Sequence, residues 1–192
     1  MATVVADMSM SLDGFVAGPN DEVDEVFSWI TAGDVAVESE NPDLEYKVDE
    51  ASAEELEGSN VKALVIGRRT FDLAGGWGGK HPVDAPVWIP THNPPDGWDE
   101  APFTFVTEGV ERAVELAAEE AGDGIVGVGG ASTAQQALNA GLVDGVRVSL
   151  VPYLIGDGIP YFSGLESTPV KLGQPKVVEG KGVTHLQYDV ER

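Results

Sequence analysis

Ala63-Leu64-Val65-Ile66-Gly67-Arg68-Arg69-Thr70-Phe71 joins a short apolar run to a charged start. Four apolar residues read as a buried strand, and the Gly-Arg-Arg-Thr that follows reads as the opening of a helix. The same grammar returns in Gly124-Ile125-Val126-Gly127-Val128-Gly129-Gly130-Ala131-Ser132-Thr133. Outward from these two junctions, strands are predicted over 4–10, 86–89, 103–106 and 146–155. Helices are predicted over 22–30, 51–56, 110–121 and 132–140, with Gly58, Gly122 and Gly141 as stops after the last three. Residues 33–50 are acidic and weakly patterned, an expected surface excursion. Two strands around Val177 and Leu186 flank Gly180-Lys181-Gly182 and read as a closing hairpin. Alternating strand and helix, then strands only, predicts an α/β fold of one domain over 1–192. Its sheet is mostly parallel, flanked by helices, with a C-terminal antiparallel hairpin.

The two junctions also carry the chemistry. Positive side chains at a helix start oppose the macrodipole, so Arg68 and Arg69 call for an explanation. One is an anion held by the guanidinium forks and the Thr70 hydroxyl; the other is pairing with surface carboxylates. At Gly129-Gly130-Ala131-Ser132-Thr133, small residues admit close approach of a ligand to the backbone, which suits a pyrophosphate, or serve only a tight turn. It is not a Rossmann fingerprint, because the third glycine position falls on Ser132. Two such junctions favour a dinucleotide bridging them. A third segment, Gly156-Asp157-Gly158 ahead of Tyr161-Phe162, either lines a substrate pocket or turns a corner.

Composition narrows the classes. With 33 Asp+Glu against 11 Lys+Arg, the formal net charge is −22, a surface that repels nucleic-acid phosphates and anionic lipids. No apolar run reaches the ~20 residues of a membrane span, and the first residues read as a strand rather than a signal peptide, so a cytoplasmic protein is expected. The chain has no cysteine, and its three histidines show no metal-ligand spacing, so no metal site is expected. No nucleophile-and-base motif stands out, which argues against a hydrolase.

Met8-Ser9-Met10-Ser11-Leu12-Asp13-Gly14-Phe15-Val16-Ala17, Gly67-Arg68-Arg69-Thr70, Gly129-Gly130-Ala131-Ser132 and Pro152-Tyr153-Leu154-Ile155-Gly156-Asp157-Gly158 occur in that order. Together they resemble the dihydrofolate reductase superfamily, and within it the reductase domain of the riboflavin deaminase–reductase. The resemblance covers residues 4–190 and implies a mixed sheet of about eight strands. It implies hydride transfer from NADPH to a small heterocycle, either 5-amino-6-(5-phosphoribosylamino)uracil-like or pterin-like. By this resemblance Gly67, Arg68, Arg69 and Thr70 hold the adenosine-side phosphates, and Thr91 and His92 lie near the adenine and its 2′-phosphate. Gly129, Gly130, Ala131, Ser132 and Thr133 cradle the pyrophosphate. Ala6 and the Asp13-to-Ala17 loop, opening with Asp13 and Gly14, flank the nicotinamide, and Gly156, Asp157 and Gly158 form the substrate loop. Folate reductases carry a carboxylate early in the first long helix, a place expected for Asp24 or Glu25. A homodimer is expected, helped by apolar surface at Trp77, Trp88 and Trp98. The rival reading is a non-catalytic NADP(H)-binding or nucleotide-sensing module on the same fold.

Overall fold

The computed structural model describes residues 1–98 and 102–191. In chain order the elements are β1 (Thr3–Ser11), β2 (Phe15–Ala17), β3 (Val35–Val37), β4 (Tyr46–Val48), α1 (Glu50–Glu57), β5 (Val61–Ile66) and α2 (Arg68–Leu73). There follow β6 (Val87–Pro90), β7 (Phe103–Val106), α3 (Val110–Ala121), β8 (Ile125–Gly129), α4 (Ala131–Asn139) and β9 (Gly145–Val151). The chain closes with β10 (Ile159–Pro160), β11 (Lys176–Gly180) and β12 (Val183–Asp189). Eight of the strands form one sheet in the order β11-β12-β9-β1-β8-β5-β6-β7. The pairs from β9 across to β7 are parallel, while β12 on β9 and β11 on β12 are antiparallel. The expected mostly parallel sheet with a terminal hairpin is the one found. Among the described residues, no helix is long and apolar enough to cross a membrane.

Alternation along each strand sends side chains to two different layers. Val4, Ala6, Val65, Val126, Val128 and Val148 face α3 and α4, whose Val110, Ala113, Val114, Ala117, Ala134 and Ala137 complete that core. Opposite, Leu64, Ile66, Val87, Ile89 and Phe103 pack around Phe71 of α2. The Phe71 ring meets Trp98 and Phe103 edge-on at 4.9 and 5.3 Å, and cutting it to alanine would cost about 3–5 kcal/mol. Gly76, at φ 58, allows this: a Cβ there would lie 2.2 Å from the Trp98 ring. Trp77 and Trp98 thus cover the chain's own core, and Trp88 is buried in the other layer.

Three local expectations give way. The helix expected over 22–30 is instead a run of turns ending in a 3-10 helix, Ser28–Thr31. Valine and phenylalanine there have modest helix propensity, and nine residues are too few to hold a helix unaided. Tertiary contacts decide the shape: Trp29 is buried and its Nε1 donates to Ser9 Oγ at 2.9 Å, beside buried Val26. Within 33–50, β3 and β4 pair as a short antiparallel ribbon. The strand expected to reach 155 stops at Val151, ahead of Pro152, which lacks the N–H to continue a ladder.

Candidate functional site

The two junctions meet. Strands β5 and β8 are adjacent and parallel, with Ile66 opposite Gly129, so both helices start from the same edge of the sheet. Gly67 N–H donates to Gly129 O at 3.1 Å and ties the loops together. Gly130 stands at φ 89, and a Cβ on it would lie 2.9 Å from Thr70 Oγ1. The position needs both the left-handed backbone and the missing side chain.

In front of these loops opens a cleft of about 470 Å³, within the range of small-ligand sites. Gly67, Arg68, Arg69, Thr70, Thr91, His92, Gly130, Ala131, Ser132 and Thr133 line it, as the sequence reading expects. No side chain caps the start of α4, which leaves first-turn N–H groups beside the Ser132 hydroxyl for an anion. Arg68 Nη1 donates to Thr91 Oγ1 at 3.3 Å and to Asn93 O at 2.5 Å, while its Nε holds Asp72 at 2.8 Å. Arg69 reaches the other way, to Asp21. Both arginines therefore line the cleft and pair with carboxylates at once. Val16, from the expected Asp13-to-Ala17 loop, lines the cleft together with Met8 and Ile159, apolar residues that sequence reasoning missed. Asp21, Leu73, Thr107, Val110 and Gln136 were missed too, because each reaches the cleft only through the tertiary fold.

Other expected site residues lie elsewhere. Ala6 is wholly buried in the core, and Gly129 is buried with its carbonyl engaged by Gly67. Asp13 is a loop clamp: its carboxylate accepts from Ser11 Oγ (2.6 Å), Ile155 N (3.1 Å) and Gly156 N (2.7 Å). The Ser11 hydroxyl, and then these amides, hold its carboxyl below the usual range. Gly14 O accepts from Tyr161 N–H, bringing the chain after Asp157 and Gly158 back toward β2. Gly14, Gly156, Asp157 and Gly158 frame this corner outside the cleft lining. Asp24 and Glu25 are exposed and also outside it.

The first α-helix along the chain is α1, and the carboxylate at its start is Asp49. It accepts from Ala51 N and Ser52 N as the cap. From it runs a buried chain: Ser52 Oγ donates to Asp49 Oδ2 at 2.7 Å, His185 Nε2 lies 3.0 Å from Ser52 Oγ, and Ser149 Oγ lies 3.0 Å from His185 Nδ1. With the single Ser52 proton on Asp49, Ser52 accepts from His185 Nε2–H, and neutral Nδ1 accepts from Ser149. Burial pushes the His185 imidazole below its ordinary pKa, partly opposed by Glu55 and Asp49. The chain thus does hold a hydroxyl–imidazole pair, contrary to the sequence reading. No motif scan finds it, since Ser52 and His185 are 133 residues apart. Ser149 and His185 line a cavity of about 50 Å³, shared with Asp7, Glu55 and Arg147. That is room for water, not for an acyl substrate.

An α/β sheet in this strand order, with a cleft at two glycine junctions, defines a protein of the dihydrofolate-reductase-like class. The chain belongs to the RibD C-terminal domain family, whose model matches residues 2–186. It is 27% identical over 173 residues to the uncharacterized protein YyaP of Bacillus subtilis, covering 83% of this chain and 79% of that one. Among solved structures, a putative riboflavin biosynthesis protein from Shewanella sp. PV-4 superposes with a TM-score of 0.71 at 25% identity, covering all of both chains. Dihydrofolate reductase from Enterococcus faecalis, complexed with NADP(H), gives 0.58 at 15% identity over 99% of this chain and 97% of that one. The family and the fold are of reductase type.

Proposed function

We propose that this chain is an NADPH-dependent reductase that delivers hydride to a small heterocyclic substrate of the aminouracil or pterin kind. The observation that carries the reading is the meeting of two glycine junctions under one cleft, with the Arg68–Arg69 pair on its rim. The donor set fits the cofactor. Ser132, Thr70 and the uncapped start of α4 suit a pyrophosphate. Arg68, braced by Thr91 and Asn93, suits the 2′-phosphate. Bound there, NADPH supplies the hydride. Met8, Val16 and Ile159 give an apolar wall that keeps water from the reacting end, and the Asp13 clamp keeps the neighbouring corner in place.

The test is NADPH titration followed by turnover with 5-amino-6-(5-phosphoribosylamino)uracil and with dihydrofolate, read as loss of NADPH absorbance. Saturable binding and oxidation with one of the two is expected. Saturable binding with no oxidation by either would favour the sensing module, and absence of binding would remove the cofactor assignment.

A further inference from the structure

We propose that Asp21 sets the cofactor affinity of the cleft by competing for Arg69, its carboxylate standing where a phosphate of the cofactor would bind. This rests on the reading of the cleft as an NADPH site. Arg69 Nε donates to Asp21 Oδ1 at 2.9 Å and Nη2 to Oδ2 at 2.7 Å. Two parallel N–H donors gripping two oxygens is also how a guanidinium takes a phosphate. The partners are 48 residues apart and both line the cleft. The pair therefore ties the loop before the Ser28–Thr31 helix to the start of α2.

The loop is built to present that carboxylate. Gly18 N–H donates to Glu22 O at 2.8 Å and Asp21 N–H to Gly18 O at 3.1 Å. The Glu22 carboxylate accepts from Asn20 N and Nδ2 at 2.9 and 2.8 Å. Asp21 itself is held at φ 66, a left-handed backbone that few side chains other than Asp and Asn adopt readily. Its side chain is 20% exposed against 65% for Arg69, so the acid is tucked in and the arginine faces the solvent of the cleft.

Arg68 offers a contrast. It pairs with Asp72 one helical turn away and with Thr91 and Asn93 behind it, so it stays in its own wall. The Arg69 pair joins the start of α2 to the 18–22 loop. An incoming phosphate exchanges one two-pronged acceptor for another at Arg69, leaving Asp21 without its partner and the loop without its tie. Affinity is then lower than the donors alone would allow. Selectivity favours ligands that bring a phosphate to Arg69 over those that do not.

The experiment is a double-mutant cycle on NADPH binding, read by cofactor fluorescence at fixed ionic strength, with Asp21→Asn, Arg69→Ala and the pair. Asp21→Asn is expected to bind NADPH about two- to fivefold tighter, the range of an exposed ion pair. Asp21→Gly, which accepts the backbone angle outright, should show the same gain if the loop keeps its form. In the Arg69→Ala background the gain should vanish. Equal gains in both backgrounds would mean that general charge, not competition for Arg69, is at work. Unchanged or weaker binding in Asp21→Asn would overturn the proposal by making the acid a bystander or a support for Arg69. If neither the parent nor Asp21→Asn binds NADPH, the cofactor reading fails first and the competition falls with it.

Discussion

Arg68 and Arg69 are neighbours in the chain and serve opposite walls of the cleft. Arg68 faces Thr91 and Asn93, where we propose that the adenosine end of the cofactor binds. Against a net charge of −22, distant electrostatics repel NADPH more than NADH, so any preference for NADPH has to come from contacts at this spot. Arg68→Ala is expected to weaken NADPH binding about 10- to 100-fold, as loss of a charge-assisted hydrogen bond does, and NADH far less. Equal losses for both cofactors would take Arg68 away from the 2′-phosphate. Asp7 was not visible as a special residue in the sequence, where it is one strand acid among many. In the fold it is half-buried beside Glu55 and Arg147, and desolvation lifts its carboxyl to about 6, with Arg147 pulling it down and Glu55 pushing it up. The folded chain then keeps a proton that the unfolded chain loses near pH 4. Stability on this account falls as pH rises from about 4 to 6 and stays level above. Asp7→Asn should therefore raise Tm by about 2–6 °C at pH 8 and leave it unchanged at pH 4. A gain of equal size at both pH values would show that ionisation of Asp7 is not the cause.

Among the elements, the junctions were the most legible part because their signals are local. An apolar run, a glycine and a polar helix start lie within a few residues of one another, and both β5–α2 and β8–α4 form as expected. The 22–30 segment was misread because its inward-facing residues follow a helical spacing, but its backbone bonds are mostly of the i to i−3 kind, as Ser28 N–H to Glu25 O and Ile30 N–H to Phe27 O, and the buried Trp29 is fixed by Ser9. Ribbons such as β3–β4 and β2–β10 are too short for a pattern of period two to declare itself. At the β8–α4 junction, Gly130→Val should both block the cofactor and cost stability. The left-handed backbone and the Thr70 hydroxyl penalise any side chain there, and β-branching adds to it. A drop of about 1–3 kcal/mol in unfolding free energy is expected, with loss of NADPH binding. A variant as stable as the parent in urea would mean that the turn relaxes to another shape.

For the whole molecule, charge is the dominant feature. Acidic residues outnumber basic ones 33 to 11. Even where pairs such as Lys176 with Glu55 or Arg112 with Glu115 form, most carboxylates remain on a surface of their own sign. Self-repulsion of this kind destabilises the compact state and is screened by salt. Raising NaCl from about 0.02 to 0.5 M should increase Tm by several degrees, as the Debye length shrinks from about 20 Å to about 4 Å. A fall in Tm would show that the ion pairs outweigh the repulsion.

What the sequence determined by itself was the alternation of the main strands and helices from residue 61 onward, the mostly parallel sheet and the two glycine junctions. Each is encoded in neighbours, through hydrophobic period, glycine placement and local charge. The tertiary structure alone decided which residues face one another across the cleft. Asp21 reaches Arg69 over 48 residues, and Asp49, Ser52, His185 and Ser149 come together from three separate elements. It also decided that the first helix starts at Glu50 rather than near Asp24. Such contacts depend on sheet register and layer packing, which are properties of the assembled chain and leave no mark in any one stretch of it.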